Sequence, residues 1–210
     1  GQGVLLLGQL LAYSGMREGK NVSWMPSYGP EMRGGTANCS VIVSDEEIGS
    51  PVIDEADTVI VMNRPSLDKY ESKLRKGGRL FINSSLIDKK ATRDDIEVYY
   101  VPVSDIANEL GNARVANIVM LGAYLELTHL VKPETAIAQL KESFGEKKAH
   151  LIPLNEQAIE KGAAFVRTKM KNVIPGSVTD FIGIGMLVAV MDIATANNTV
   201  AIVIANPIAK

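Results

Sequence analysis

The run Thr58-Val59-Ile60-Val61-Met62 limits the possible folds more than any other stretch of this chain. A strand so continuously apolar offers no face to water, so it must sit inside a sheet covered on both sides. Leu80-Phe81-Ile82 and Val98 to Val103 read as companion strands. Between them a short helix is expected after Pro65, whose fixed φ suits a first helical turn, with Gly77-Gly78 closing it before the strand at Leu80. Repeated strand, helix, strand units of this length predict an α/β fold with a mostly parallel sheet between layers of helices. In such sheets ligands bind beyond the carboxyl ends of strands, where Asn63-Arg64, Asn83-Ser84-Ser85 and the loop around Tyr28 are expected.

The first residues carry a helical pattern. Val4, Leu5, Leu6, Leu7, Leu10 and Leu11 form a broad apolar stripe, while Gly8, Ala12 and Gly15 make a ridge of small residues on which a sheet can lie closely. Gly19 ends this helix. Val22 to Met25 reads as a strand. In the next one Ala37, Cys39, Val41 and Val43 alternate with Asn38, Ser40 and Ile42, which leaves one wetter face. Cys39 points with the apolar set and is expected to be a buried, inert thiol.

From Ile106 the chain turns helical, with Val115 to Leu130 placing Ala116, Val119, Met120, Ala123 and Leu127 on one buried face. Further helices are expected over about Thr135 to Phe144 and Asn155 to Lys171. Val173-Ile174-Pro175-Gly176 is a break, and the β-branched run Thr199 to Ala205 is read as cover for the sheet or an added edge strand. Residues 1–172 are taken as one domain and residues 173–210 as an extension of unknown role packed on it.

Composition narrows the function. A net charge of −2 supplies no basic face for nucleic acid. One cysteine cannot by itself hold an iron–sulfur cluster or a Cys-rich zinc site, and His129 and His150 are the only histidines, so no metal is expected on this chain. Phe181 to Met191 is too short to span a bilayer, so no membrane contact is expected and a reducing cytoplasm is the expected compartment.

Two segments concentrate chemistry. The run from Pro26 to Asn38 combines an aromatic hydroxyl, an arginine and paired glycines between apolar strands; glycine lets a backbone approach a partner, and arginine offers a fork of donors for carboxylate or phosphate. Gly1-Gln2-Gly3 stands directly before a helix, where free amides and the macrodipole attract an anion. A glycine turn of that kind ordinarily follows a strand, and Thr199 to Ala205 is a candidate for the slot.

Gly1-Gln2-Gly3-Val4-Leu5-Leu6-Leu7-Gly8 resembles the end of the GxGGQGV segment in the gamma subunit of 2-oxoacid:ferredoxin oxidoreductases. The resemblance continues through Tyr28-Gly29-Pro30-Glu31-Met32-Arg33-Gly34-Gly35-Thr36-Ala37, Ser44-Asp45, Ile48-Gly49-Ser50-Pro51, Asp57, Met62-Asn63, Asn83-Ser84-Ser85, Leu110-Gly111-Asn112 and Asn117 to Gly122, covering residues 1 to about 171. The Arg-Gly-Gly loop is closer to the 2-oxoglutarate and 2-ketoisovalerate types than to the pyruvate type.

The resemblance implies a three-layer Rossmann-like domain, like domain III of pyruvate:ferredoxin oxidoreductase, acting as a gamma-type catalytic domain that is inactive alone. It implies oxidative decarboxylation of a 2-oxoacid to an acyl-CoA, with thiamine diphosphate, Mg2+ and 4Fe-4S clusters on alpha and beta companion subunits and a delta subunit as a further candidate, ferredoxin as electron acceptor and coenzyme A as co-substrate. None of these cofactors is expected on this chain alone, and the isolated chain is expected to self-associate.

On the same ground Gly1, Gln2 and Gly3 would face the coenzyme A phosphate, and Arg33 would border the catalytic cleft. Tyr28, Gly29, Glu31, Gly34, Gly35, Thr36 and Asn63 would touch substrate or a neighbouring subunit. For Arg33 a substrate carboxylate, a coenzyme A phosphate and a carboxylate of a companion chain all stay open. Two alternatives stand beside this reading: a scaffold subunit without ligand contact, and a stand-alone dinucleotide-binding module. Against the second, Trp24-Met25-Pro26 occupies the region where a ribose-binding carboxylate belongs.

Other chemistry finds little support. Neither histidine lies in a nucleophile-activating motif, and His129 is expected to close an apolar helix. Lys69, Lys73, Arg75 and Lys76 read as the wet face of a short helix.

Overall fold

Helix α1 (Val4–Arg17) lies along a hairpin of β1 (Asn21–Tyr28) and β2 (Thr36–Ser44). The small-residue ridge makes this contact possible: a Cβ on Gly8 would overlap the Cys39 Sγ, and one on Gly15 would come within 2.9 Å of Val22. Leu7, Leu10 and Leu11 are fully or almost fully buried beneath the helix. Each such side chain contributes about 1.5–3 kcal/mol when it leaves water. These details come from a computed structural model that describes residues 2–28, 36–173 and 199–207.

The chain continues through β3 (Ala56–Val61), α2 (Arg64–Tyr70), β4 (Leu74–Asn83), β5 (Glu97–Val101), α3 (Val103–Glu109), α4 (Ala116–Thr128), α5 (Pro133–Phe144), α6 (Ile152–Val173) and β6 (Thr199–Pro207). The six strands form one sheet in the order β1-β2-β6-β3-β4-β5. β6, β3, β4 and β5 run parallel, whereas β2 is antiparallel both to β6 and to β1.

The run from Thr199 is therefore an inner strand, not an edge strand. It pairs with β2 on one side and β3 on the other, filling the slot that a strand before α1 would take. Its alternation explains the place: Ile202 and Ile204 enter one core, and Val203 the other. The Asp57 carboxylate accepts from the Ala201 amide at 2.7 Å, fixing the start of β6 beside β3.

Both faces of the sheet are covered, unequally. Ile60 and Phe81 point into a large core shared with α1, α3, α4, α5 and α6, while Val59, Val61, Leu80 and Ile82 point into a smaller one closed by Leu67 of α2 and by Ile87. Helix α4 lies between the sheet and α6. Tyr124 sets its ring edge-on to Phe81 at 5.4 Å, and every residue from Ala116 to Leu125 is buried. One buried face was expected there; α6 covers the other.

Three local readings need correction. The short helix ends at Tyr70, and β4 begins at Leu74, so Gly77-Gly78 lies within the strand. Ala56 pairs with Leu74 but Thr58 pairs with Arg79, so residues 75–78 bow out of the ladder, and the Gly77 amide reaches the Asp95 carbonyl at 2.8 Å. The basic run is consequently spread over three elements: Lys69 on α2, Lys73 in a helical turn, and Arg75 and Lys76 on β4. The last strand residue before α3 is Val101, and Val103 opens that helix.

Candidate functional site at the carboxyl end of the sheet

Register gathers the candidate segments at one end of the molecule. Tyr28 pairs with Ala37, Thr36 with Pro207, Val61 with Ala205, and Val61 with Ile82. The end of β1, the start of β2, Asn63 and Asn83-Ser84-Ser85 thus share the carboxyl edge of the parallel strands. Helix α1 runs antiparallel to β1: the Cys39 thiol meets the Val4 carbonyl at 3.5 Å, while Gly15 faces Val22 at the opposite end. Gln2 and Gly3 therefore arrive at the same edge.

Of the residues expected to form a site, Gln2, Gly3 and Asn63 are placed there, and the main chain of Tyr28 and Thr36 ends and opens the neighbouring strands β1 and β2 at the same edge. Gly1, Gly29, Glu31, Arg33, Gly34 and Gly35 lie outside the described residues.

Gly3 caps α1 at φ 71° and ψ 22°, a left-handed conformation that glycine takes without penalty. No side chain caps this helix and its first turn carries no acid, so the positive end of its dipole is uncompensated locally. The Gly3 carbonyl accepts from the Leu7 amide and from Asn117 Nδ2, each at 3.1 Å. Asn117, near the start of α4, is 2% exposed, and no donor reaches its Oδ1. Gln2 Oε1 is likewise buried without a donor. Asn117 was not expected among the site residues. Its sequence signals are an amide at the head of an otherwise apolar helix and its place at the start of the resembling segment Asn117 to Gly122.

Asn63 holds the loop after β3 in shape. Its Oδ1 accepts from the Ser66 amide at 3.1 Å and the Ser66 hydroxyl at 2.8 Å, capping α2. Asn83, fully buried, does the same work one strand along: Nδ2 donates to the Met62 carbonyl and to Ser104 Oγ, and Oδ1 accepts from the Ser85 amide. Ser85 Oγ then accepts from the Asp105 amide at the start of α3. The side chains that hold the loops of this edge in shape, Asn63, Ser66, Asn83, Ser85 and Ser104, are uncharged amides and hydroxyls.

Cys39 lies beneath this edge at 0% exposure, and burial pushes its thiol up to about 12. A thiolate is the reactive form, so this sulfur is inert at neutral pH. Among the described residues no three His, Cys, Asp or Glu side chains gather where they could hold a metal ion. Among them, too, no helix is long and apolar enough to cross a membrane.

Comparison with known proteins adds identity to this geometry. Residues 1–165 match the family described as pyruvate ferredoxin/flavodoxin oxidoreductase. The chain is 35% identical over 171 residues to ketoisovalerate oxidoreductase subunit VorA of Methanothermobacter marburgensis, a match covering 81% of this chain and 36% of VorA. It thus spans about a third of that relative's length. It is 35% identical over 138 residues to 2-oxoglutarate synthase subunit KorC of Methanocaldococcus jannaschii, covering 64% of this chain and 74% of KorC. Among solved structures, the gamma subunit of keto/oxoacid ferredoxin oxidoreductase from Geobacter sulfurreducens superposes with a TM-score of 0.66 at 30% identity, covering 78% of this chain and 90% of that one.

Proposed function

The chain belongs to the pyruvate ferredoxin/flavodoxin oxidoreductase family, and on that premise we propose that it is the gamma-type subunit of a multi-subunit 2-oxoacid:ferredoxin oxidoreductase. The observation that carries this reading is the family match over residues 1–165. Kinship with VorA and KorC supports a branched-chain 2-oxoacid or 2-oxoglutarate as the substrate. Residues 1–172 act as the gamma-type unit together with residues 199–207, whose strand β6 completes their sheet.

Thiamine diphosphate with Mg2+ and the 4Fe-4S clusters, held on companion alpha and beta subunits with a delta subunit as a further candidate, would supply the decarboxylation and electron transfer to ferredoxin. The residues described here do not fit a cluster, since Cys39 is buried and alone. This chain contributes at the place where coenzyme A meets the acyl group. Gly1, Gln2 and Gly3 receive a coenzyme A phosphate at the start of α1, where the uncapped amides and the dipole favour an anion. The loop from Tyr28 to Thr36, with Arg33 at its centre, and Asn63 border the cleft or the companion chain.

The test is reconstitution. Co-purified companions should restore oxidation of one of the two 2-oxoacid types, and Arg33→Ala should lower coenzyme A-dependent turnover by about tenfold or more, the scale of one lost charge-assisted contact. Turnover unaffected by Arg33→Ala would leave the chain a scaffold without ligand contact.

A further inference from the structure

The amide of Asn117 is an expensive choice for its position. It is 2% exposed at the head of a helix that continues Ile118-Val119-Met120-Leu121, and burying an amide with an unmet acceptor costs about 1–3 kcal/mol. A leucine there would avoid that penalty. What the amide achieves is contact with Gly3. Its Nδ2 donates to the Gly3 carbonyl at 3.1 Å, and its side chain fills the space a Cβ on Gly3 would need, 2.5 Å from Nδ2.

We propose that Asn117 is the positioning residue of the Gly-Gln-Gly segment, fixing Gly3 so that the first amides of α1 face the coenzyme A phosphate. The proposal rests on the reading of that segment given above. Across a trans peptide the carbonyl and the following N–H point in opposite directions. Pinning the Gly3 carbonyl from two donors, Leu7 N and Asn117 Nδ2, therefore fixes the direction of the Val4 N–H, which opens the helix toward the edge of the sheet. The unmet Asn117 Oδ1 is a second pointer to a ligand, because it calls for an N–H or O–H donor. Coenzyme A carries amides and hydroxyls as well as phosphates, so it can satisfy both the helix amides and this oxygen.

Asn117→Asp and Asn117→Ser in the reconstituted complex separate positioning from general support. The aspartate removes the donor and sets a negative charge beside the anion, and should raise the KM for coenzyme A about tenfold; serine should raise it by about threefold. The KM for the 2-oxoacid should move less than twofold. On the full-length chain, hydrogen exchange at the amides of residues 4–7 should quicken in both variants. If the aspartate variant does not fold, serine carries the test.

Unchanged exchange at residues 4–7 would overturn the positioning role itself. Faster exchange with an unmoved KM for coenzyme A would show that Asn117 shapes the segment but that the segment does not receive coenzyme A, overturning the phosphate assignment. Equal rises in both KM values would reduce Asn117 to ordinary structural support and end the proposal.

Discussion

Gly122 on α4 and Gly162 on α6 bring two helix backbones into direct contact: a Cβ on the first would overlap the Ile159 carbonyl, and a Cβ on the second the Val119 carbonyl. Backbone cannot step aside as a side-chain tip can. Gly162→Ala should therefore destabilise the folded chain by about 3 kcal/mol, the upper part of the usual range for overpacking. Urea denaturation reads this directly, and an unmoved midpoint would contradict the closeness of the crossing.

Gly8 meets a softer neighbour, the Cys39 sulfur. Gly8→Ala should cost about 2 kcal/mol alone, and combining it with Cys39→Ala should recover part of that loss because the sulfur is what the new methyl strikes. Strictly additive losses in the double variant would mean that some other atom sets the limit.

The thiol also sets a pH dependence. Burial raises the Cys39 pKa from its ordinary value of 9.0 to about 12, so the unfolded chain releases this proton at a lower pH than the folded one. The contribution to stability is intact below pH 9 and is lost as pH rises toward 12, at about 1.4 kcal/mol per pH unit. Melting curves of the wild type and of Cys39→Ala should diverge in slope over that window. Parallel curves would exclude the thiol as the source.

Glu71 is buried at 6% exposure and receives the Thr92 amide at 2.5 Å, the Thr92 hydroxyl at 3.1 Å and the Arg93 amide at 3.0 Å. It ties the turn after α2 to the segment that leads into β5. Glu71→Ala leaves these donors unmet and should destabilise by about 2–3 kcal/mol, whereas Glu71→Gln keeps one acceptor oxygen and should lose about half as much. Equal losses would point to packing instead of hydrogen bonding.

Much of the architecture was legible from local pattern. The Gly8-Ala12-Gly15 ridge predicted a close helix-to-sheet contact because small residues at that spacing have little other use, and Thr58 to Met62 could only be an inner strand. The failures share a cause. Gly77-Gly78 reads as a stop, yet pairing of Leu74 with Ala56 extends β4 past it. Tertiary contact overrode a local signal. Likewise α4 shows one apolar stripe in sequence but is buried all round, since α6 adds cover that no window of sequence contains. The convergence of Gln2, Gly3, Asn63 and Asn83 at one edge followed from strand order, while the tie between Asn117 and Gly3 spans 114 positions, so both segments are visible in the sequence but their contact is not.

The place of β6 carries a consequence for how this molecule is made. Among the described strands it alone joins the β1-β2 hairpin to the parallel set β3-β4-β5, and in sequence it follows all of them. Among the described strands, the hairpin and the parallel set share no border until residues 199–207 pair with both. Closing the sheet therefore waits on contacts of high sequence separation, with strand borders open to wrong partners in the meantime.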